Sequence, residues 1–166
     1  MPRTILLTPH QVRQRIQRLA WQLYEDHSEE KSIIIVGILQ SGNHVATEIA
    51  AALKKISGKD ILHCTVRIDK HAQVAGNLEL SEDISKLAGG CIVLVDDVLN
   101  SGKTLFYALR PFLSVDVKKI RTVVLVDRNH RRFPIAADYS GLSLATTLRE
   151  HITVEAGPEG ITAYLE

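Results

Sequence analysis

The sequence predicts an α/β fold, with a central, mostly parallel sheet flanked by helices. Three observations predict it. Ile33-Ile34-Ile35-Val36 and Cys91-Ile92-Val93-Leu94-Val95 are apolar without alternation, as strands covered on both faces require. Stretches of helical periodicity separate such runs. The resulting order, α–β–α–β–loop–β–α–β followed by a tail, is that of strands joined through crossover helices.

Each element has its own local signal. Thr8 can cap a helix, Pro9 suits its first position and Gln11 completes a capping box. Val12, Ile16, Leu19, Ala20 and Leu23 then recur at helical spacing, which predicts a helix over about residues 9–27. The strand at 33–36 is followed by a turn at 37–42 and an alanine-rich helix at 43–55. Residues 61–68 are a second strand candidate. The polar stretch 69–87, with Gly76 and Asn77, has no clean period. A loop of that length in a compact domain is often functional. After the strand at 91–95, residues 96–104 read as a polar turn. Leu105, Leu109, Phe112 and Leu113 continue as a helix, and 120–126 is a fourth strand. The remainder, with Pro134, Gly141, Gly157 and Gly160, reads as loops and short strands.

Composition narrows the function classes. A chain of 166 residues, 45% hydrophobic and 23% charged, is sized for a single domain spanning 1–166. A net charge of +1 excludes a uniformly basic nucleic-acid binder. Aromatic residues at 5% disfavour a base-stacking platform. Cys64 and Cys91 both lie in strand-like segments and read as buried reduced thiols. No apolar run approaches the ~18–20 residues of a membrane span, and no secretory leader is read at the start. The expectation is a soluble, cytoplasmic protein without membrane partners.

The chemistry is expected beyond the carboxyl ends of the strands, in the loops at 37–42, 96–104 and 127–133. Asp96 and Asp97 end an otherwise apolar strand. Adjacent carboxylates in a partly buried place need compensation, which sugar hydroxyls or a divalent cation supply. Taken alone, the pair serves equally well as a helix cap. Asn100, Ser101, Gly102, Lys103 and Thr104 follow. Small hydroxyl residues around a glycine, entering a helix, present backbone N–H groups to an anion. The segment is not a Walker A loop, because Asp97 stands where the opening glycine would be.

Together, residues 92–104 resemble the thirteen-residue signature of the type I phosphoribosyltransferases. The resemblance covers nearly the whole chain. Val126-Asp127-Arg128, His130-Arg131, Pro134-Ile135 and Asp138-Tyr139-Ser140-Gly141 are similar to the PyrR branch. Those proteins are bifunctional pyrimidine-operon regulators with uracil phosphoribosyltransferase activity. The resemblance implies that family's fold, with a small hood and a flexible lid loop at 69–87. It implies transfer of phosphoribosyl from phosphoribosyl pyrophosphate to a nucleobase, uracil first, with Mg²⁺. Asp96 and Asp97 would hold the ribose hydroxyls and the metal, and act in catalysis with Arg67. Asn100, Ser101, Gly102, Lys103 and Thr104 would hold the 5′-phosphate. Leu39, Gln40, Ser41 and Gly42 would form the pyrophosphate loop. Asp127, Arg128, Tyr139 and Ser140 would face the base. A homodimer or higher homo-oligomer is also implied.

Several positions depart from the PyrR pattern. Ser41 replaces a basic residue, Asn100 a tyrosine, Ala145 a proline and Leu148 a basic residue. Asn100 cannot serve as a general base. Arg67 is displaced by one residue, which turns a strand side chain to the other face. The alternative reading is an RNA-binding regulator that senses nucleotides in the same pocket. Between positions 118 and 132 there are six basic residues (Lys118, Lys119, Arg121, Arg128, Arg131, Arg132) and one acid, Asp127, a local excess of +5. Arg18, Arg131 and Arg132 are the candidate RNA contacts. Ala136 and Leu148, standing where RNA-binding relatives carry basic residues, count against it. His44 and His63 read as structural.

Overall fold

The computed structural model describes residues 2–69 and 77–166. Strand β1 (Thr4–Leu7) leads into helix α1 (Pro9–Asp26). The predicted capping box is formed: the Thr8 amide donates to Gln11 Oε1 at 2.9 Å and the Gln11 amide to Thr8 Oγ1 at 3.3 Å. Then come β2 (Ser32–Ile38), α2 (Ser41–Ile56), β3 (Asp60–Ile68) and β4 (Leu78–Leu80). β5 (Cys91–Leu99), α3 (Lys103–Ala108), β6 (Lys119–Asp127) and β7 (Tyr139–Ser143) complete the main layer. β8 (Ile152–Gly157) and β9 (Gly160–Leu165) close the chain.

The main sheet has six strands in the order β4-β3-β2-β5-β6-β7. Its five central and right-hand members, β3-β2-β5-β6-β7, run parallel, and only the edge strand β4 is antiparallel. A second, antiparallel sheet of order β1-β9-β8 supplies the predicted hood.

The unbroken apolar runs are explained by two cores, one on each sheet face. Ile33, Ile35, Val93 and Val95 pack with α1 and α2. Ile34, Val36, Ile92 and Leu94 pack on the opposite face with Leu105, Ala108 and Phe112. Each fully buried aliphatic side chain contributes about 1.5–3 kcal/mol of transfer free energy.

Three boundaries differ from expectation. β5 does not stop at Val95. Asp96, Val98 and Leu99 stay in register with Val124, Val126 and Asp127 of β6, so the turn shrinks to residues 100–102. The helix after it ends at Ala108 and tightens into a 3₁₀ turn, Arg110–Ser114. Pro111 cannot donate into an α-helix and its ring crowds the carbonyl four residues back. The stretch 69–87 is not one open loop. β4 pairs with β3 from Val66↔Leu80 to Ile68↔Leu78. A 3₁₀ turn, Ile84–Leu87, follows, capped by Asp83, whose carboxylate accepts from the Ser85 amide at 2.9 Å. Residues 70–76 of the predicted lid lie outside the described residues.

Candidate functional site

A cleft of about 260 Å³ opens at the carboxyl end of β5, lined by residues 96–105 with Val124, Arg128, His151 and Ile152. Asp96 is 4% exposed, and its Oδ1 accepts from the Asp97 amide at 2.9 Å. The Asp97 carboxylate has no hydrogen bond or ion pair to the described residues. Gly42 joins the turn at 39–42 to the acid pair. A Cβ there would stand 2.8 Å from Asp96 Oδ1 and 2.9 Å from Asp96 Cα, so only glycine lets α2 begin this close. The Leu39–Gln40 peptide in this turn is cis.

The loop after the acids is anchored by backbone. Gly102 adopts φ 85°, in the left-handed region, and accepts from the Phe106 amide at 2.9 Å. The carbonyl of Ser101 receives the amides of Arg132 and Phe133 at 2.8 and 3.1 Å. This fixes the loop to the segment after β6. Ser101 Oγ accepts from the Lys103 amide at 3.3 Å. The first turns of α2 and α3 carry no acid. Because α3 has only six residues, its dipole adds little; local amides and Lys103 supply the positive character.

Arg128 is 3% exposed. Its guanidinium donates to Thr146 Oγ1 at 2.9 Å, Asn100 Oδ1 at 3.0 Å, and the carbonyls of Thr147 and Glu150. It thereby holds the phosphate-type loop against the segment 146–150. Arg128 forms no ion pair with its chain neighbour Asp127. Asp127 instead accepts from the Asn129 amide at 2.9 Å, and the donors of Arg128 are taken up elsewhere.

Other predicted residues stand away from the cleft. Tyr139 pairs with Val123 and Ser140 with Val124, whereas Ser143 is the β7 residue level with Asp127. Tyr139 therefore sits four residues back from the carboxyl end, roughly 13 Å at ~3.3 Å per residue. Burial, followed by the nearby Asp26, raises its hydroxyl pKa above the ordinary value. The carbonyl of Ser140 is taken by Arg18 at 2.7 Å. Tyr139 and Ser140, expected to face the base, thus lie toward the amino end of β7 and are not among the residues lining the cleft. Arg18, expected as an RNA contact, is exposed on α1. It donates to Ser140 and Gly141 and fastens α1 to β7. Arg67 is exposed on β3, 3.9 Å from Glu79 of β4, and does not line the cleft.

The basic stretch is not one patch. Lys118 pairs with Glu30 at 2.7 Å, while Lys119 and Arg121 pair with Asp26 at 3.4 and 2.8 Å, all at the amino end of β6. Arg131 and Arg132 are exposed beyond its carboxyl end. His63 is structural, donating from Nε2 to Asn43 Oδ1 at 2.8 Å. Burial, with Lys54 adding to it, holds its pKa below the ordinary value. Cys64 and Cys91 are free buried thiols, and burial pushes Cys64 up to about 11. Sequence reasoning did not select His151 and Ile152 as cleft residues. Neither residue type nor local spacing marks them, because they reach the cleft only where the tail folds back.

The parallel sheet, its hood and the acid pair beside an anion-ready loop define a phosphoribosyltransferase architecture. The chain belongs to the phosphoribosyltransferase family: the phosphoribosyl transferase domain matches residues 3–158. Among its curated relatives, the bifunctional protein PyrR of Elusimicrobium minutum is 33% identical over 147 residues, covering 84% of this chain and 82% of that protein. The bifunctional protein PyrR of Pelotomaculum thermopropionicum is 33% identical over 153 residues, covering 86% and 83%. Among solved structures, hypoxanthine phosphoribosyltransferase of Trypanosoma cruzi superposes with a TM-score of 0.77 at 18% identity, covering 96% and 95%. That likeness shows the fold. No helix among the described residues is long and apolar enough to cross a membrane.

Proposed function

We propose that the chain binds phosphoribosyl pyrophosphate with Mg²⁺ and transfers the phosphoribosyl group to a nucleobase, uracil first. A base nitrogen forms a bond to ribose C1, the bond from C1 to the pyrophosphate oxygen breaks, and the base N–H proton leaves to solvent. The products are UMP and pyrophosphate. One observation carries this reading: Asp96 and Asp97 adjoin both the loop at 100–104 and, through Gly42, the turn at 39–42. A ribose with a phosphate on one side and a pyrophosphate on the other asks for that order of groups.

Asp96 and Asp97 accept hydrogen bonds from the ribose hydroxyls. The backbone amides and hydroxyls of Ser101, Gly102, Lys103 and Thr104 take the 5′-phosphate. The turn of Leu39, Gln40, Ser41 and Gly42 lies toward the leaving group. Adjacent carboxylates suit Mg²⁺, which binds through one or two carboxylates plus substrate oxygens. Among the described residues no cluster of three or more His, Cys, Asp or Glu forms a protein cage for a metal, in keeping with a metal that arrives with substrate. When bound it neutralises charge on the leaving group. Catalysis by the chain itself is then positioning and stabilisation of charge. Arg67 has no part in this reading.

The test is incubation with uracil, phosphoribosyl pyrophosphate and Mg²⁺, following UMP and pyrophosphate. Formation of both in equal amounts is expected. No product, with no binding of phosphoribosyl pyrophosphate, would overturn the proposal.

A further inference from the structure

We infer that His63 is a positioning residue: its hydrogen bond to Asn43 holds the turn of residues 39–42 in the orientation that receives the leaving pyrophosphate. The inference rests on the phosphoribosyl reading of the cleft and adds to it a residue that touches no substrate.

The turn joins β2 to α2 and is tied to the sheet on three sides. At its start the Leu39 amide donates to the Val66 carbonyl of β3 at 2.9 Å. At its end Gly42 lies against Asp96 of β5. Asn43, the next residue, supplies the third tie. A Cβ on Gly37 of β2 would stand 2.5 Å from Asn43 Oδ1 and 2.9 Å from Asn43 Cα, so the first turn of α2 rests directly on the strand backbone. His63 is level with Ile35 in the parallel pair of β2 and β3. It reaches from β3 to Asn43 and donates from Nε2 to Oδ1 at 2.8 Å.

A polar pair is not needed here for packing. The same layer is closed by Val45, Ala46 and Ile49 of α2 against Ile33 and Ile35 of β2. Apolar side chains in place of both His63 and Asn43 would pack at little cost. What the hydrogen bond adds is direction, which apolar contact lacks. The turn depends on direction. Leu39, Gln40, Ser41 and Gly42 bring no basic side chain, and the Gln40 side chain makes no capping hydrogen bond to α2. The turn therefore offers an anion backbone N–H groups and the Ser41 hydroxyl. Fixed dipoles of this kind stabilise charge only when they are correctly aimed, whereas a flexible lysine can follow its ligand.

The test compares phosphoribosyl pyrophosphate with ribose 5-phosphate, each with Mg²⁺, by calorimetric titration. The two ligands share the ribose phosphate and differ in the pyrophosphate. Each is titrated into the wild type, His63→Leu, His63→Gln and Asn43→Leu. His63→Leu should weaken phosphoribosyl pyrophosphate about tenfold and leave ribose 5-phosphate unchanged. His63→Gln keeps an N–H donor at similar reach and should restore most of the lost affinity. Asn43→Leu breaks the same bond from the other side and should repeat the selective loss, which covers the case in which His63→Leu folds poorly. A loss shared equally by both ligands, unchanged phosphoribosyl pyrophosphate affinity in both leucine variants, or no recovery in His63→Gln overturns the inference. Wild-type binding of phosphoribosyl pyrophosphate then leaves the phosphoribosyl reading standing. Failure of the wild type to bind either ligand overturns both.

Discussion

The two ends of the central sheet carry the same kinds of side chain and use them in opposite ways. At the amino end of β6, Asp26, Glu30, Lys118, Lys119 and Arg121 satisfy one another at 2.7–3.4 Å. Burial alone would raise the Asp26 carboxyl, but the Arg121 hydrogen bond, Lys119 and His27 outweigh it and hold the pKa below the ordinary value. At the carboxyl end of β5, the Asp97 carboxylate and the Asn100 NH₂ find no partner among the described residues. One end is closed by ion pairs and fixes α1 to the sheet. The other keeps donors and acceptors open, which is the condition for binding a ligand rather than for stabilising the fold.

Substitutions should separate the two ends. The largest effect is expected at Gly42. Gly42→Ala places a Cβ 2.8 Å from Asp96 Oδ1. Forcing α2 away from the acid pair should cost about 1–3 kcal/mol and remove phosphoribosyl pyrophosphate binding, as read by urea unfolding and by titration. Unimpaired binding would show that the 39–42 turn and Asp96 do not work as a unit.

Asp26→Ala should do the reverse. It leaves Lys119 and Arg121 without their carboxylate, and partial solvent exposure limits the loss to about 1–2 kcal/mol. Ligand affinity should be unchanged. A fall in affinity with no loss of stability would break the comparison.

The smallest effect is a pH dependence at the closed end. His27 is fully buried, and its Nδ1–H donates to the Leu23 carbonyl at 2.8 Å while Nε2 has no partner among the described residues. Burial, the largest cause, lowers its pKa below the ordinary 6.5, opposed by the Leu23 hydrogen bond and Asp26 and assisted by Lys119 and Arg121. The unfolded chain therefore takes up this proton first. The contribution of His27 to stability is full above about pH 6.5 and is lost as pH falls toward the depressed folded value. Asp26 acts only lower, below its ordinary 3.8. Thermal melts from pH 7.5 to 5 should show a decline that His27→Leu flattens. An identical decline in that variant would remove His27 as its cause.

The difference between the two ends also explains what was legible in the sequence. α1 was readable because its capping box and apolar stripe lie within the segment itself. The apolar cores of β2 and β5 were readable because parallel strands are covered on both faces. The carboxyl end of β5 was not, since Asp96 and Asp97 look like a turn until β6 is seen beside them. The resemblance implied the hood, but its strand β1 was not legible, because it pairs with β9 across almost the whole chain, from Thr4 to Leu165. The basic stretch misled because its neutralising acids, Asp26 and Glu30, lie on α1 and in the turn after it, far away in sequence. Of the site, the contiguous motif at 92–104 was legible. The contributions of His151, Ile152 and the Arg128 network were not, because they depend on where the tail folds back.

The most direct measurement is a calorimetric titration of phosphoribosyl pyrophosphate with Mg²⁺ into the wild-type chain and into Asp97→Asn. The Asp97 side chain has no partner among the described residues, so its role is assigned to the ligand. The account predicts saturable binding by the wild type. It predicts a loss of about a hundredfold or more in the variant, as expected when a charged acceptor of paired hydroxyls is removed, with no fall in melting temperature. Equal affinity in the two proteins, or a variant that loses stability and retains binding, would contradict it.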